Sequence, residues 1–163
     1  MCDVCQRKIA KERVGKVPLG KMPIIETPFD RVAVDLVGPI HPETDKGNRY
    51  ILTMVDYATR YPEAVPLKDI KTETVAEAMV NMFTRVGVPK KILSNQVSQF
   101  LSAVMKEVCR MLSVKQLVTT SYHPICNGLL ENFNGTLKTM LRHMKTEGLG
   151  QIHWTIVVCL QRS

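Results

Sequence analysis

No apolar run in the 163-residue chain approaches the ~20 residues that a helix needs to span a bilayer. The N-terminal segment, MCDVCQRKIAKERVGK, contains no apolar stretch of the kind found in secretory signals. The sequence also shows no internal repeat and no low-complexity tract. We therefore expect no membrane association. The five cysteines are expected to be reduced thiols of an intracellular protein.

The composition is that of a globular domain with a basic surface. Hydrophobic residues make up 45% of the chain and charged residues 23%, which argues against global disorder. The net charge of +7 favours a polyanionic partner. Residues 1–22 carry six basic residues against two acidic ones. This segment is either a solvated flexible arm or a nucleic-acid contact.

The first half of the chain predicts three successive strands. In RVAVDLV, apolar residues alternate with other residue types, which is typical of a half-buried strand, and Gly38-Pro39 ends it. NRYILTMVDYAT and RYPEAVPLK follow as two further strands, so the three form an antiparallel meander. Asp56, within the second strand, is expected to hold a turn through hydrogen bonds.

The second half predicts alternating helices and strands. A helix starts near residues 72–74, where Thr74 and Glu77 have capping-box spacing. Strand KKILS, a helix over 98–112, strand VKQLVTT and a helix over 127–146 follow. The order β-β-β-α-β-α-β-α predicts an α/β fold, a mixed five-stranded sheet flanked by helices.

The last helix carries two stripes. Its apolar stripe consists of Leu130, Phe133, Leu137, Met140, Leu141 and Met144, and its polar stripe of Glu131, Asn134, Lys138, Arg142 and Lys145. Taken alone, the polar stripe is an ordinary solvent-exposed face. The positions of other acidic residues favour a site instead.

Three separated positions predict a metal-dependent active site. Asp35 lies near the end of the first strand within an apolar run, where a charge is costly unless it is paired or bound to metal. Asn95 follows the fourth strand, and Glu131 comes after 35 intervening residues. Side chains at such positions can converge at one edge of a mixed sheet. Oxygen ligands there suit Mg²⁺ or Mn²⁺ in phosphodiester transfer.

Four motifs make the chain resemble the catalytic core of a gypsy-type retrotransposon integrase, in the retroviral integrase family with an RNase H-like fold. They are RVAVDLVGPI, NRYILTMVDYATRYPEAVPL, RVGVPKKILSNQVSQF and YHPICNGLLENFNGTLKTML. The family pattern is a D,D(35)E triad, onto which Asp35, Asn95 and Glu131 fall. The resemblance covers about residues 23–146, and we take 23–147 as the catalytic core.

The resemblance implies DNA integration, in which element DNA is trimmed at its 3′ ends and joined to target DNA. Asp35 would bridge two Mg²⁺ or Mn²⁺ ions, the residue at 95 would share one ion, and Glu131 would bind the other. The implied nucleic-acid contacts are Tyr122, Pro124 and Asn127 in an active-site loop, and Asn134, Lys138 and Arg142 on the last helix. A homodimer or higher oligomer and a nuclear location are also expected.

The chain departs from the family pattern at the second metal-binding position. The family reads SDQGTQF where this chain has SNQVSQF, so Asn95 replaces an aspartate and Val97 a glycine. An amide is a weaker ligand for a hard cation and supplies no negative charge to the transition state. We therefore expect a weakened metal site and severely impaired catalysis.

The two ends of the chain also depart from the pattern. Cys2 and Cys5 have zinc-ligand spacing and match half of the family's His-His-Cys-Cys module, so zinc is not expected to bind. Residues 1–22 are interpreted as a remnant of that module with a basic linker. Residues 148–163 are interpreted as a divergent tail of a core truncated at its C-terminus.

Three functional hypotheses remain open from the sequence. The chain is an integrase descended from an active enzyme, a catalytically inactive module that binds nucleic acid or a protein, or the product of a decayed element without a selected role. The motifs favour the first for family assignment, whereas Asn95 favours the others for present activity.

Overall fold

The computed structural model describes residues 25–44, 46–95, 98–118 and 128–146. The elements in this part are β1 (Arg31–Val37), β2 (Tyr50–Asp56), β3 (Pro62–Leu67), α1 (Thr72–Val86), β4 (Lys91–Ser94), α2 (Ser98–Leu101), α3 (Ala103–Met111), β5 (Lys115–Val118) and α4 (Gly128–Thr146). The strands form one sheet in the order β3-β2-β1-β4-β5. This confirms the predicted mixed five-stranded α/β architecture. None of the helices described is long and apolar enough to cross a bilayer.

The central strand, β1, brings the two halves of the sheet together. It pairs antiparallel with β2, where Asp35 lies opposite Thr53, and parallel with β4, where Val34 lies opposite Ser94. The next residues along these parallel strands are Asp35 and Asn95. Strand pairing alone therefore brings the carboxylate and the amide to the same edge of the sheet.

Both faces of β1 are covered, so the prediction of a half-buried strand was wrong. Val34 belongs to the main core, which also contains apolar residues of α1. On the opposite face, Ala33 packs with Leu130, and Val37 packs with Leu137, both from α4. The alternation suggested that one face of β1 is exposed to solvent, because alanine is a weak apolar signal. The helix that covers this face lies about a hundred residues away in the sequence.

The start of α1 differs from the prediction. The helix begins at Thr72, and its N-cap residue, Lys71, makes no side-chain capping hydrogen bond. Thr74 Oγ1 instead donates to Asp69 Oδ1 at 2.8 Å, in the segment before the helix. The capping box with Glu77 was therefore wrong, because an acceptor upstream takes the threonine hydroxyl.

The predicted helix over 98–112 is two helices with a break at Ser102. Ser102 has an extended backbone (φ −63°, ψ 158°), and its Oγ accepts a hydrogen bond from Met105 N at 3.2 Å. The same hydroxyl donates to Gln99 O at 2.9 Å. A serine that caps the second helix thus ends the first, although the apolar spacing continues across it.

Asp56 ends β2 and holds the following turn, as predicted. Its Oδ2 accepts hydrogen bonds from Thr59 N at 2.9 Å and Thr59 Oγ1 at 2.7 Å. Its Oδ1 accepts from Phe29 N at 3.1 Å. The buried carboxylate therefore joins the turn to the segment that leads into β1.

The chain leaves β1 through a conformation that requires glycine. Gly38 has φ +144°, and a Cβ atom at this position would lie 2.5 Å from Tyr50 Cδ1 and 2.8 Å from Arg49 O. Neither the backbone angle nor the space suits a side chain. The end of β1 at Gly38-Pro39 is confirmed.

Candidate active site

Asp35 is the centre of a polar cluster where β1, the end of β4 and α4 meet. Its Oδ1 accepts hydrogen bonds from Leu36 N and Asn95 Nδ2, both at 2.8 Å. Its Oδ2 accepts from Asn134 Nδ2 at 3.0 Å. The half-buried carboxylate is thus surrounded by three N–H donors from three parts of the fold.

Asn134 was placed by the sequence on the polar stripe of the last helix, and this was wrong. Leu130 and Leu137 are fully buried against the sheet, and Asn134 shares their face at helical spacing. Its side chain is only 6% exposed. The amide can lie there because Asp35 accepts its hydrogen bond. Its implied contact with DNA stays a prediction.

The two amides that flank Asp35 are only partly satisfied. Asn95 Oδ1 and Asn134 Oδ1 are buried and have no hydrogen-bond partner within the described residues. The opposite amide orientation would bring these oxygens against the carboxylate, which is repulsive. The amides therefore face Asp35 with their donors, and their own acceptors remain unused.

Burial raises the pKa of the Asp35 carboxyl above its ordinary value of 3.8. The hydrogen bonds from Leu36 N and Asn95, and the positive charge of Lys138, act in the opposite direction. The negative charge of Glu131 raises the pKa further. Desolvation outweighs these hydrogen bonds, so the carboxylate is held at an energetic cost.

The structure thus gathers several residues named from the sequence at one edge of the sheet. Asn95 contacts Asp35 directly, and the charges of Glu131 and Lys138 reach the same carboxyl group. Glu131, Lys138 and Arg142 are exposed along α4. Their roles in metal and DNA binding stay predictions.

Several other predicted positions lie outside the described residues. They are Cys2 and Cys5 of the half zinc site, Val97, and the loop residues Tyr122, Pro124 and Asn127.

A cleft adjoins the cluster between α4 and the segment that follows β1. Its volume is about 420 Å³, and it is lined by Val37, Gly38, Pro39, Ile40, His41, Lys138, Leu141 and Arg142. Lys138 and Arg142 supply cationic groups beside an apolar floor. The arrangement suits an anionic ligand with an extended surface.

The raised pKa of Asp35 predicts a specific dependence of stability on pH. The native state holds this proton more tightly than the unfolded chain, whose aspartate has the ordinary value of 3.8. The stabilising contribution is therefore complete below 3.8 and is lost as the pH rises through the raised native pKa. Asp35→Asn removes this loss, so its stability relative to wild type should increase from about pH 3 to about pH 7.

The measurement is denaturant unfolding of both proteins across this range, with Asp69→Asn as the control. Hydrogen bonds from Lys71 N and Thr74 lower the pKa of Asp69, so removing this carboxyl should give the opposite trend. A flat difference between Asp35→Asn and wild type would contradict the account.

Comparison with known proteins identifies the family to which this fold and site belong. Residues 26–124 match the family described as "Integrase core domain". The chain is 31% identical over 140 residues to a bovine "Gypsy retrotransposon integrase-like protein 1" (Bos taurus), and covers 27% of that protein. It is 31% identical over 121 residues to the "Retrovirus-related Pol polyprotein from transposon 412" of Drosophila melanogaster, and covers 10% of it. These matches span 86% and 72% of the present chain.

Two solved structures share the fold. A simian T-cell lymphotropic virus intasome in complex with PP2A regulatory subunit B56 gamma superposes with a TM-score of 0.69 at 19% identity, covering 90% of this chain and 50% of that one. The HTLV-2 integrase catalytic core domain in complex with magnesium (trimeric form) gives a TM-score of 0.59 at 20% identity, covering 74% of each chain.

The sheet order, the flanking helices and these superpositions show the RNase H-like fold that integrase catalytic cores have. The chain belongs to the integrase core domain family, of the retrotransposon and retroviral type. It spans about a quarter or less of the length of the curated relatives described above.

The described residues do not fit the pair of divalent ions that the family pattern implies. No group of three or more His, Cys, Asp or Glu side chains is placed to hold a metal ion in this part of the chain. The Asp35 carboxylate already accepts hydrogen bonds from three N–H donors. Asp35 and Glu131 together offer two negative charges, against four positive charges on two such ions.

Proposed function

We propose that this chain is a DNA-binding integrase core in which DNA strand transfer is strongly impaired. The observation that carries the proposal is the hydrogen bond of 2.8 Å from Asn95 Nδ2 to Asp35 Oδ1. A neutral donor stands where the resembled pattern has a second carboxylate. Asn95 therefore stabilises the charge of Asp35 through a hydrogen bond and adds no second negative charge to the site.

Divalent ions, when bound in such a core, activate the attacking oxygen and stabilise the leaving oxygen of a phosphodiester. This chain's own residues act otherwise at the site. Asn95 and Asn134 orient the Asp35 carboxylate and satisfy it, and Glu131 is left as an exposed carboxylate on α4. The remaining ligand charge is too low for the family's chemistry to proceed efficiently.

Retention of DNA binding is supported by the basic side of the site. Lys138 and Arg142 are exposed on α4, one turn apart, and both line the cleft beside β1. The chain as a whole carries a net charge of +7. Contacts of this kind with phosphates need no metal and no carboxylate at position 95.

Self-association is part of the proposal. Val104 and Met111, two turns apart on α3, are 41% and 71% exposed, and Leu101 of α2 is also exposed. An apolar surface of this kind favours contact with a second copy of the chain. Because the proposed partner is DNA, we further propose that the protein acts in the nucleus.

DNA binding is tested with the double variant Lys138→Ala/Arg142→Ala. Losing two phosphate contacts should weaken binding to duplex DNA about tenfold or more and reduce the slope of log K against log salt by roughly 1.8. Fluorescence anisotropy with a labelled duplex at several salt concentrations measures both quantities.

The matched control is Lys106→Ala/Lys115→Ala, which removes the same charge from α3 and β5. This control should keep the wild-type salt slope to within about 0.5. Equal losses in the two double variants would show that only overall charge matters. Absence of any salt-dependent binding by the wild type would overturn the proposal.

A further inference from the structure

We propose that Asn95 and Asn134 form an amide clasp, two side-chain amides that hold Asp35 in place of a divalent cation. The clasp keeps α4 and its basic side chains positioned without metal. Divalent cations should therefore neither stabilise this protein nor be needed for it to bind DNA. The inference rests on the proposed function in one respect, since it explains how an impaired site can keep its DNA-binding surface.

The first support is that the carboxylate is already satisfied. An ionised carboxylate has about four lone-pair positions, and three of them receive N–H donors here, from Leu36, Asn95 and Asn134. All three distances, from 2.8 to 3.0 Å, are those of good hydrogen bonds. A cation could reach Asp35 only by displacing at least one of these donors.

The second support is the position of the donors in the fold. The two amide contacts join residues 60 and 99 positions apart in the sequence. They connect β1 to the residue after β4 and to the buried face of α4. A cation shared by carboxylates on the same elements would provide the same cross-link, and the clasp provides it with neutral groups.

The third support is the orientation of the amides. Both amide oxygens are buried without a hydrogen-bond partner in the described part of the chain, although each amide could rotate. A cation beside Asp35 would favour the rotated state, in which the Asn95 and Asn134 oxygens face the cation. The unrotated state leaves two acceptors without partners so that both amides can donate to the carboxylate.

Position 95 therefore decides between two kinds of site. Asparagine donates to Asp35, whereas aspartate would place a second negative charge at hydrogen-bonding distance from the first. Without cations the two carboxylates repel each other, and with a divalent cation they become its ligands. The variant Asn95→Asp should therefore exchange metal-independent stability for metal-dependent stability.

The test compares thermal unfolding of the full 163-residue wild type, Asn95→Asp and the control Asn132→Asp, each in EDTA and in millimolar Mn²⁺. Asn132 is exposed on α4, so the control adds the same charge to the surface. We expect Asn95→Asp in EDTA to melt roughly 5 °C or more below wild type, and Mn²⁺ to restore most of that loss. Wild type and Asn132→Asp should respond alike and weakly to Mn²⁺.

A second measurement on the wild type alone keeps the inference testable if Asn95→Asp does not fold. Bound Mn²⁺ would broaden the amide NMR signals of residues around Asp35, and we expect no localised broadening. Broadening centred on Asp35, or an equal Mn²⁺ stabilisation of wild type and Asn95→Asp, would overturn the clasp. So would a folded Asn95→Asp variant that fails to respond to Mn²⁺.

These outcomes are separable from failure of the proposed function. Mn²⁺ binding by a wild type that binds DNA but does not join it would overturn the clasp alone. A wild type that ignores Mn²⁺ and also fails to bind DNA would overturn the proposed function and leave the clasp supported. DNA affinity measured in EDTA and in Mn²⁺ completes the comparison, with less than about a twofold difference expected.

Discussion

Replacing Asn95 by aspartate is expected to raise Mn²⁺-dependent strand transfer by about 100-fold. The substitution removes the 2.8 Å hydrogen bond to Asp35 and returns a third negative charge to the site. Three carboxylates fit divalent cations far better than two carboxylates with an amide donor. The measurement is the rate at which a labelled duplex end is joined to target DNA by wild type and variant at equal concentration.

Two double variants, each compared with Asn95→Asp, test whether the gain arises at this site. The pair Asn95→Asp/Val97→Gly, which restores the aspartate and the glycine of the family pattern SDQGTQF, should be at least as active as the single variant. Adding Asp35→Asn to Asn95→Asp should abolish the gain, because only two carboxylates, at positions 95 and 131, then remain at the site. A gain that survives Asp35→Asn would show that the activity arises elsewhere.

Truncating Leu137 to alanine should destabilise the protein by about 3–4 kcal/mol and release α4 from the sheet. Leu137 is fully buried and packs in one cluster with Val37, Ile51 and Ala64. The lost contacts include the one with Val37 of β1, which helps to hold α4 on the face of β1 next to Asp35. Chemical denaturation measures the loss of stability, and DNA binding should fall with the folded fraction.

The control for this substitution is Met140→Ala on the same helix. Met140 is 41% exposed, so its truncation should change stability by less than about 0.5 kcal/mol. A loss at Leu137 no larger than the loss at Met140 would mean that α4 is not anchored through this face. The packing of α4 on the sheet would then no longer explain why the Asn134 side chain is buried beside Asp35.

Most of the architecture was predictable because it depends on local patterns. The strands around Val34, Leu52 and Ile92 were visible as short apolar runs bounded by turn residues. Gly38 was predicted to end β1, and its positive φ is the backbone conformation that ends the strand there. Asp35 also stood out, since a charge within an apolar run needs a partner. The parallel register then places Asn95 beside it.

The remaining features depend on contacts between distant parts of the chain. The break at Ser102 was missed because apolar spacing continues across it, and only the capping hydrogen bond to Met105 N shows that a new helix begins. Asn134 was assigned to a polar stripe, since residue type alone cannot show that a buried amide has an acceptor 99 positions away. Its spacing of four and three residues from Leu130 and Leu137 was the available signal.

The most direct test of the account follows binding and joining of one labelled DNA duplex in a single reaction. We predict that the wild type binds this DNA in a salt-dependent way, while its joined product forms about 100-fold more slowly than that of Asn95→Asp. Joining by the wild type at the rate of the variant would contradict it, because an amide donor at position 95 would then be no obstacle to catalysis.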